Sequence, residues 1–544
     1  MDRFLSREIA RLEKIEVRIR EYCLEEGLNI PANVKFLVVS PERIMADVAS
    51  NGIPNNYSVW VWGKEYERMK MLFRHSGEGI PYEVVWNFSG EPVAYIVESN
   101  PFALKVLTMA HVFGHVDFFL SNRFCLANKN SVGDILEAAS AARIRFAEYQ
   151  RKYGVNAVEG LIEAGLVVAK FHDPDPFAGE ITDSQIESIR AGRVIAKEKE
   201  IAGIQSEVVG RGKTLESDPE AADKVAFINR QIDRIKEADP LIPEYDLIRF
   251  LAKRGRFSRL PYAVDVLDTI RQQSRYQMMQ VARLAMLNEG WATYWHRKIM
   301  RRLFQEKLLT DEEHQTFIKF HSGVVRPNPK SFNHYYFGLS LYDEIEDRWN
   351  RGTFGPEYDR ASIRKKLVWD SGLSMGRKKI FEVSRSYNDV MAMREFFTDE
   401  FIARHKICFW RETEQIDKAT GERKRVVSMP PPSEIRQRLV RDASILGCPT
   451  IKVVTGNYEH RGELCLLHEY NHFELDPQAE NGFLEYVHYL WNGPPVHLVT
   501  WVIEYDENTG QEKSAKRILH TCEGKGQHKT RDIAGSKTNL AAGL

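Results

Sequence analysis

The sequence is short of cysteine, of charge imbalance and of long apolar runs. Six cysteines (Cys23, Cys125, Cys408, Cys448, Cys465 and Cys522) are scattered over 544 residues with no CxxC pair. Such scatter argues against a disulfide framework and gives a cysteine-based zinc site no support. Lysine plus arginine balance aspartate plus glutamate at 76 each, which argues against a dominant nucleic-acid or anionic-membrane function. No window approaches the ~20 consecutive apolar residues that span a bilayer. The charged, amphipathic start MDRFLSREIARLEKIEVRIREY lacks the apolar centre of a secretory leader. A reducing, cytoplasmic setting without a membrane span is therefore expected. Also missing are a GxxxxGK[ST] loop, a glycine fingerprint between strand and helix, and a GxSxG elbow. Nucleotide binding and serine hydrolase chemistry are left without support.

What is present is globular. Hydrophobic residues make up 43% of the chain and there are ten tryptophans, enough for more than one core at this length. Residues 2–27 have helical periodicity. KFLVVS (35–40), VVWNF (84–88) and AYIVES (94–99) read as strands. Asn100 and Pro101 then open a helix as cap and first residue. Two helices are expected between 133 and 170, broken near Tyr153-Gly154. Residues 180–240 read as a charged helical insertion, 263–303 as the longest continuous helical pattern, and helices continue to about 403. Beyond that, hairpins are expected around Thr420-Gly421 and Asn508-Thr509-Gly510. The expected class is α+β. A large, mainly helical N-terminal domain with a few strands (1–403) precedes a smaller mixed α/β domain (404–522) and a polar, disordered tail (523–544).

Two short segments carry the chemistry. His111-Val112-Phe113-Gly114-His115 puts two imidazoles at i and i+4, on one face of a helix. Asn288-Glu289-Gly290-Trp291-Ala292 puts a carboxylate in an aromatic, apolar helix, where it needs a cation or an ion pair. Arg283 and Arg297 are the obvious ion-pair partners. Two histidines one turn apart plus a carboxylate from a second helix is a zinc-binding set; iron suits the same donors. His111, His115 and Glu289 are therefore the expected metal ligands. Val112 stands where HExxH enzymes have their water-activating glutamate, so a base must come from elsewhere. Glu159, Glu163 and His296 are the candidates, with Asp117 a weaker donor. Gly114 lowers helix propensity by roughly 1 kcal/mol against alanine, which makes sense where another backbone comes close. His468-Glu469-Tyr470-Asn471-His472 matches HExxH literally. It follows the strand-like GELCLL, so its two histidines would not share a helix face.

In this order the segments resemble the SpoVR family (stage V sporulation protein R). The resembling stretches are NYSVWVWGKEYERMK, MAHVFGHVDFFLSN, MLNEGWATYWHRKIM, FNHYYFGLSLYDEIEDRW, FFTDEF and LCLLHEYNHFELD, spread over roughly 10–505. The resemblance implies a bacterial, cytosolic protein tied to sporulation and spore cortex formation, or to stress response in non-sporulating bacteria. It also implies a PrkA-type serine kinase and a von Willebrand A-like protein as partners. It brings no established reaction. The stretch SRYQMMQVARLAML lacks a Pro-Gln pair expected before NEGWA. NEGWA separately looks like the third-ligand helix of gluzincin peptidases, which implies a gluzincin-like helical core. Two functions follow as expectations. One is a metal-dependent amide hydrolase acting on a peptide or a cell-wall precursor. The other is a non-catalytic scaffold or regulator.

Overall fold

The computed structural model describes residues 3–53, 55–76, 85–86, 91–132, 135–171, 181–276, 282–327, 331–405, 407, 411–416, 423–428, 430–445, 450–470, 474–491, 493–505 and 512–533. The chain is α+β. Packing divides it into two compact units, each assembled from two stretches of sequence: Met1–Glu159 with Gln272–Gly447, and Gly160–Arg271 with Cys448–Leu544.

In the first unit, β1 (Lys35–Val39), β2 (Val85–Trp86) and β3 (Val93–Val97) form a small sheet in the order β1-β3-β2. The chain then enters the histidine helix, Phe102–Ser121, which begins one residue later than expected, with Pro101 as its N-cap and not its first residue. Every residue from Ala103 to Phe119 is buried. By length and composition this helix is apolar enough to cross a membrane, although His111, His115 and Asp117 interrupt its apolar run. Here it is the central rod of the largest hydrophobic core.

The glutamate helix, Ala285–Gln305, lies against the histidine helix on one side and the bracing helix, His334–Arg351, on the other. Glycines set both approaches. A Cβ on Gly114 would stand 2.5 Å from the Ala292 Cα. On the opposite side Gly290 and Gly338 meet backbone to backbone, with no room for a side chain on either. Asp389 fixes where the glutamate helix begins. Its two carboxylate oxygens accept the Met286 and Leu287 backbone N–H groups at 2.8 and 3.0 Å, two donors a helix start leaves unsatisfied. The 263–303 pattern is thus two helices: Pro261–Tyr276 and the glutamate helix after a 3-10 turn at Ala282–Leu284. The break at Gly154 is present, between Ile135–Tyr153 and Val155–Val168, where φ is +94°.

The hairpin β4 (Arg411–Ile416) and β5 (Arg423–Ser428) forms as expected; its Thr420-Gly421 turn lies outside the described residues. Packing does not break the chain after 403. Ile407, Ile435 and Leu439 join the main core, so the first unit runs on to Gly447.

The second unit holds β6 (Ile451–Tyr458), β7 (Glu463–His468), β8 (Val496–Tyr505), β9 (Glu512–Gly524) and β10 (Gln527–Asp532). They form one sheet in the order β10-β9-β8-β7-β6. β7 and β8 are parallel; the other pairs are antiparallel. β8 and β9 are the arms of the second expected hairpin. β10 corrects the expected tail: residues 527–532 are a strand. The expected insertion is a pair of helices, Asp183–Gly210 and Pro219–Glu237, packed on each other. The first has 28 residues and is longer than either helix of 263–303.

Two outcomes follow. Gly114→Ala, measured by chemical denaturation, loses about 1–3 kcal/mol to overpacking. Burial pushes the Asp389 carboxyl up from 3.8 to about 7, although the two N–H bonds oppose it. A folded-state pKa above the unfolded value gives stability that is full below pH 3.8 and is lost as pH rises through about 7. Asp389→Asn removes this linkage. The pH slope of unfolding free energy across that window flattens relative to wild type; an unchanged slope would show that Asp389 does not titrate there.

Candidate metal centre

The histidine and glutamate helices bring the expected ligands together. His111, His115 and Glu289 each offer a donor atom within 4.8 Å of the others. The Glu289 Oε2 is 3.3 Å from His111 Nε2 and 3.5 Å from His115 Nε2. A tetrahedral ion with bonds of ~2.0–2.1 Å separates its ligands by about 3.3–3.4 Å, so the donors fit such an ion in type and spacing. Both imidazoles are buried, whereas the Glu289 side chain is 24% exposed. Arg297, one arginine that could have neutralised Glu289, is engaged with Asp343 at 2.8 and 2.6 Å.

The outer nitrogens of both rings are also held. His115 Nδ1 lies 2.8 Å from Asn288 Oδ1, an acceptor that fixes the proton on Nδ1 and turns the Nε2 lone pair inward. His111 Nδ1 lies 2.8 Å from His296 Nδ1, and His296 Nε2 lies 2.9 Å from His321 Nδ1. With the His111 Nε2 lone pair reserved for an ion, the sense of this chain is fixed. His111 donates to His296, and His296 donates to His321 on the helix Asp311–Val324. Such partners orient metal-binding histidines. Burial first, then the neighbouring imidazoles and Arg297, hold His296 well below the usual imidazole range. Burial, with Arg297, brings His321 down to about 4. Neutral rings are what the relay requires.

Further groups face the site from the bracing helix. The Tyr335 ring stacks on His111 with centroids 5.9 Å apart. His334 feels the Glu289 carboxylate, which favours its charged form, while desolvation outweighs this and lowers its pKa.

The other expected residues have different surroundings. Glu159 is half-buried on the helix Val155–Val168. Glu163, on the same helix, accepts from the Tyr486 hydroxyl at 3.4 Å. Neither belongs to the grouped donors. Asp117 is buried and accepts from the Trp291 indole at 2.7 Å and the Asn29 backbone at 2.6 Å. It ties the two helices together. In the HExxH-like string, His468 ends β7 and bonds Thr500 at 3.0 Å. Glu469 pairs with Lys452 at 2.6 Å and Tyr245 at 2.8 Å. His472 lies outside the described residues. Asn288, His321, His334 and Tyr335 were given no role from sequence. Asn288 and the His334-Tyr335 pair stand inside stretches that carry the family resemblance; His321 had no such signal.

These features define a class: an α+β protein with a two-histidine, one-carboxylate centre between core helices. The chain belongs to the SpoVR family, whose model, described as SpoVR like protein, matches residues 6–446, and this membership associates it with sporulation. A relative from Escherichia coli (strain K12), named Uncharacterized protein YcgB, is 26% identical over 469 residues, 84% of this chain and 85% of the relative. No solved structure matches the chain.

Loss of an outer partner tests the centre. Asn288→Ala lowers metal affinity about 10–100-fold, read by competition with a chromogenic chelator. Asn288→Asp, which keeps an acceptor, recovers most of it.

Proposed function

We propose that this protein is a cytoplasmic, metal-dependent amide hydrolase serving spore cortex formation, or stress response in relatives that do not sporulate. Zinc is held by His111, His115 and Glu289, and the substrate is a peptide or cell-wall precursor. One observation carries the reading: two imidazole nitrogens converge on a carboxylate oxygen at 3.3 and 3.5 Å while that carboxylate's side chain stays 24% exposed. Three protein donors with a side reaching solvent suit a catalytic site better than a closed structural one. Zinc there supplies Lewis acidity and a nucleophile near neutral pH.

The remaining work falls to the chain's own groups. Asn288 and the His296-His321 relay hold the two ligand rings. Val112 is fully buried and takes no proton. The role that glutamate fills in HExxH therefore comes from another helix, and His334, within electrostatic reach of Glu289, is the candidate there. The buried Val112 also favours a second reading, a metal-stabilised scaffold that works with a PrkA-type serine kinase and a von Willebrand A-like protein.

Elemental analysis of protein purified without chelators decides first. Wild type carries about one zinc per chain, or iron if the donors serve as a facial triad. His111→Ala and Glu289→Gln carry none while keeping their far-UV circular dichroism. A wild type without stoichiometric metal would sink both readings. Metal-loaded wild type then cleaves muropeptide precursors or peptides, and His334→Gln is slower by ~10²–10⁴. Metal binding without turnover on any of these favours the scaffold.

A further inference from the structure

The bracing helix ends at Gly352, which has φ +65°. The chain then makes an excursion and returns to the same helix end. Ser371 N–H donates to the Arg351 carbonyl at 2.9 Å, and Ser374 N–H to the Asn350 carbonyl at 3.0 Å. The Trp369 indole donates to the Gly352 carbonyl at 3.0 Å, and the Arg351 guanidinium to the Trp369 carbonyl at 3.1 and 2.9 Å. The base of the loop is therefore tied down, as in compact surface loops whose ends meet.

Its outer surface is apolar where solvent should be. Ile363, Leu367 and Val368 are 80%, 75% and 79% exposed, and Leu373 and Met375 are 43% and 38% exposed. Ile363 and Leu367 stand one turn apart on the short helix Ile363–Leu367, capped by Ser362. Single exposed aliphatics need no explanation, but a cluster on a pinned loop marks a contact surface.

The charges around the cluster say what covers it. Glu357, Asp359 and Asp370 supply three acids; Arg360, Arg364, Lys365 and Lys366 supply four bases. Among the described residues none of these seven makes an ion pair. Lys365 and Lys366 instead lie over the Trp369 and Tyr358 rings, at 5.5 and 5.0 Å from the centroids. A partner of one charge sign, an anionic lipid surface included, would meet like charges on part of this ring. A second copy carries both signs and can set its basic run against these acids. A two-fold contact sets each residue against its counterpart's neighbours, so a near-balanced rim around an apolar centre is self-complementary. No residue from 357 to 375 is buried, and a specific interface takes ~20–30 residues a side. We propose that this loop is the centre of a two-fold interface with a second copy of the chain, Ile363, Leu367 and Val368 packing at the axis and the basic run of each copy facing the acids of the other.

Sedimentation velocity on the full-length protein across the micromolar range tests this. Wild type sediments as a dimer that weakens at high salt. The double variant Ile363→Asp/Leu367→Asp sediments as a monomer with circular dichroism unchanged, and its thermal midpoint loses the dependence on protein concentration that dimerisation gives wild type. Lys365→Glu/Lys366→Glu weakens the dimer about tenfold or more, and adding Glu357→Lys/Asp359→Lys in the same chain restores it. A wild type that stays monomeric overturns the proposal. So does a dimer indifferent to Ile363→Asp/Leu367→Asp, or a monomer that instead pellets with phosphatidylserine vesicles.

Discussion

Everything at the candidate metal centre depends on one contact, the approach of two helix backbones at Gly114 and Ala292. A helix normally keeps its neighbour 8–10 Å away, the distance its side chains dictate. Removing the side chain at Gly114 lets the glutamate helix sink against the histidine helix. Only then do His111 and His115, on either side of that glycine, meet a carboxylate on the facing helix. The Gly290-Gly338 contact pushes from the other side, so the glutamate helix is wedged between two backbones. Asp117, bonding the Trp291 indole, sets the register of the pair. Carboxylate placement is thus a matter of packing, and little of it depends on the flexible reach of Glu289.

The same packing explains why the outer nitrogens of both His111 and His115 are occupied. Imidazoles buried between apolar helices need hydrogen-bond partners, and here the protein supplies them. Asn288 serves one. The other is served by a histidine, itself served by a histidine, and the three rings run outward to a half-buried helix. A chain of neutral rings has one consistent sense of donation once its inner end is fixed. Conversely, a proton placed on the inner nitrogen of His111 would turn the whole row around. The relay therefore couples the state of a half-buried histidine on one helix to a lone pair between two others.

Much of this was legible in the sequence, and the limits have physical causes. HVFGH and NEGWA advertise themselves because i, i+4 spacing and a carboxylate among aromatics are local patterns. Gly114 could be read as a close approach for the same reason. His296 stands out in the sequence only as a candidate base. Its part as the partner of His111 depends on helix rotation, which no spacing reveals. His334 and Tyr335 reach the site from the start of another helix. Domain organisation was less legible still. Apolar periodicity says which face of a segment is buried, not against what, so the return of residues 160–271 to join the C-terminal sheet leaves no mark. The segment from 523 reads as tail because it is polar and rich in glycine and lysine. An edge strand that is mostly exposed needs no apolar alternation.

The discontinuity of the first unit has a consequence during synthesis. Between the end of the histidine helix at Ser121 and the start of the glutamate helix at Ala285 lie 163 residues, including the first half of the other unit. At ~5–20 residues per second that interval is roughly 10–30 s. Throughout it, a helix apolar enough to pass for a membrane span has been made without the glutamate helix that packs along it. The nascent chain must be shielded from aggregation and from membrane insertion before Gly114 meets Ala292, and the two halves of the site are kept apart for as long as the interruption takes to translate.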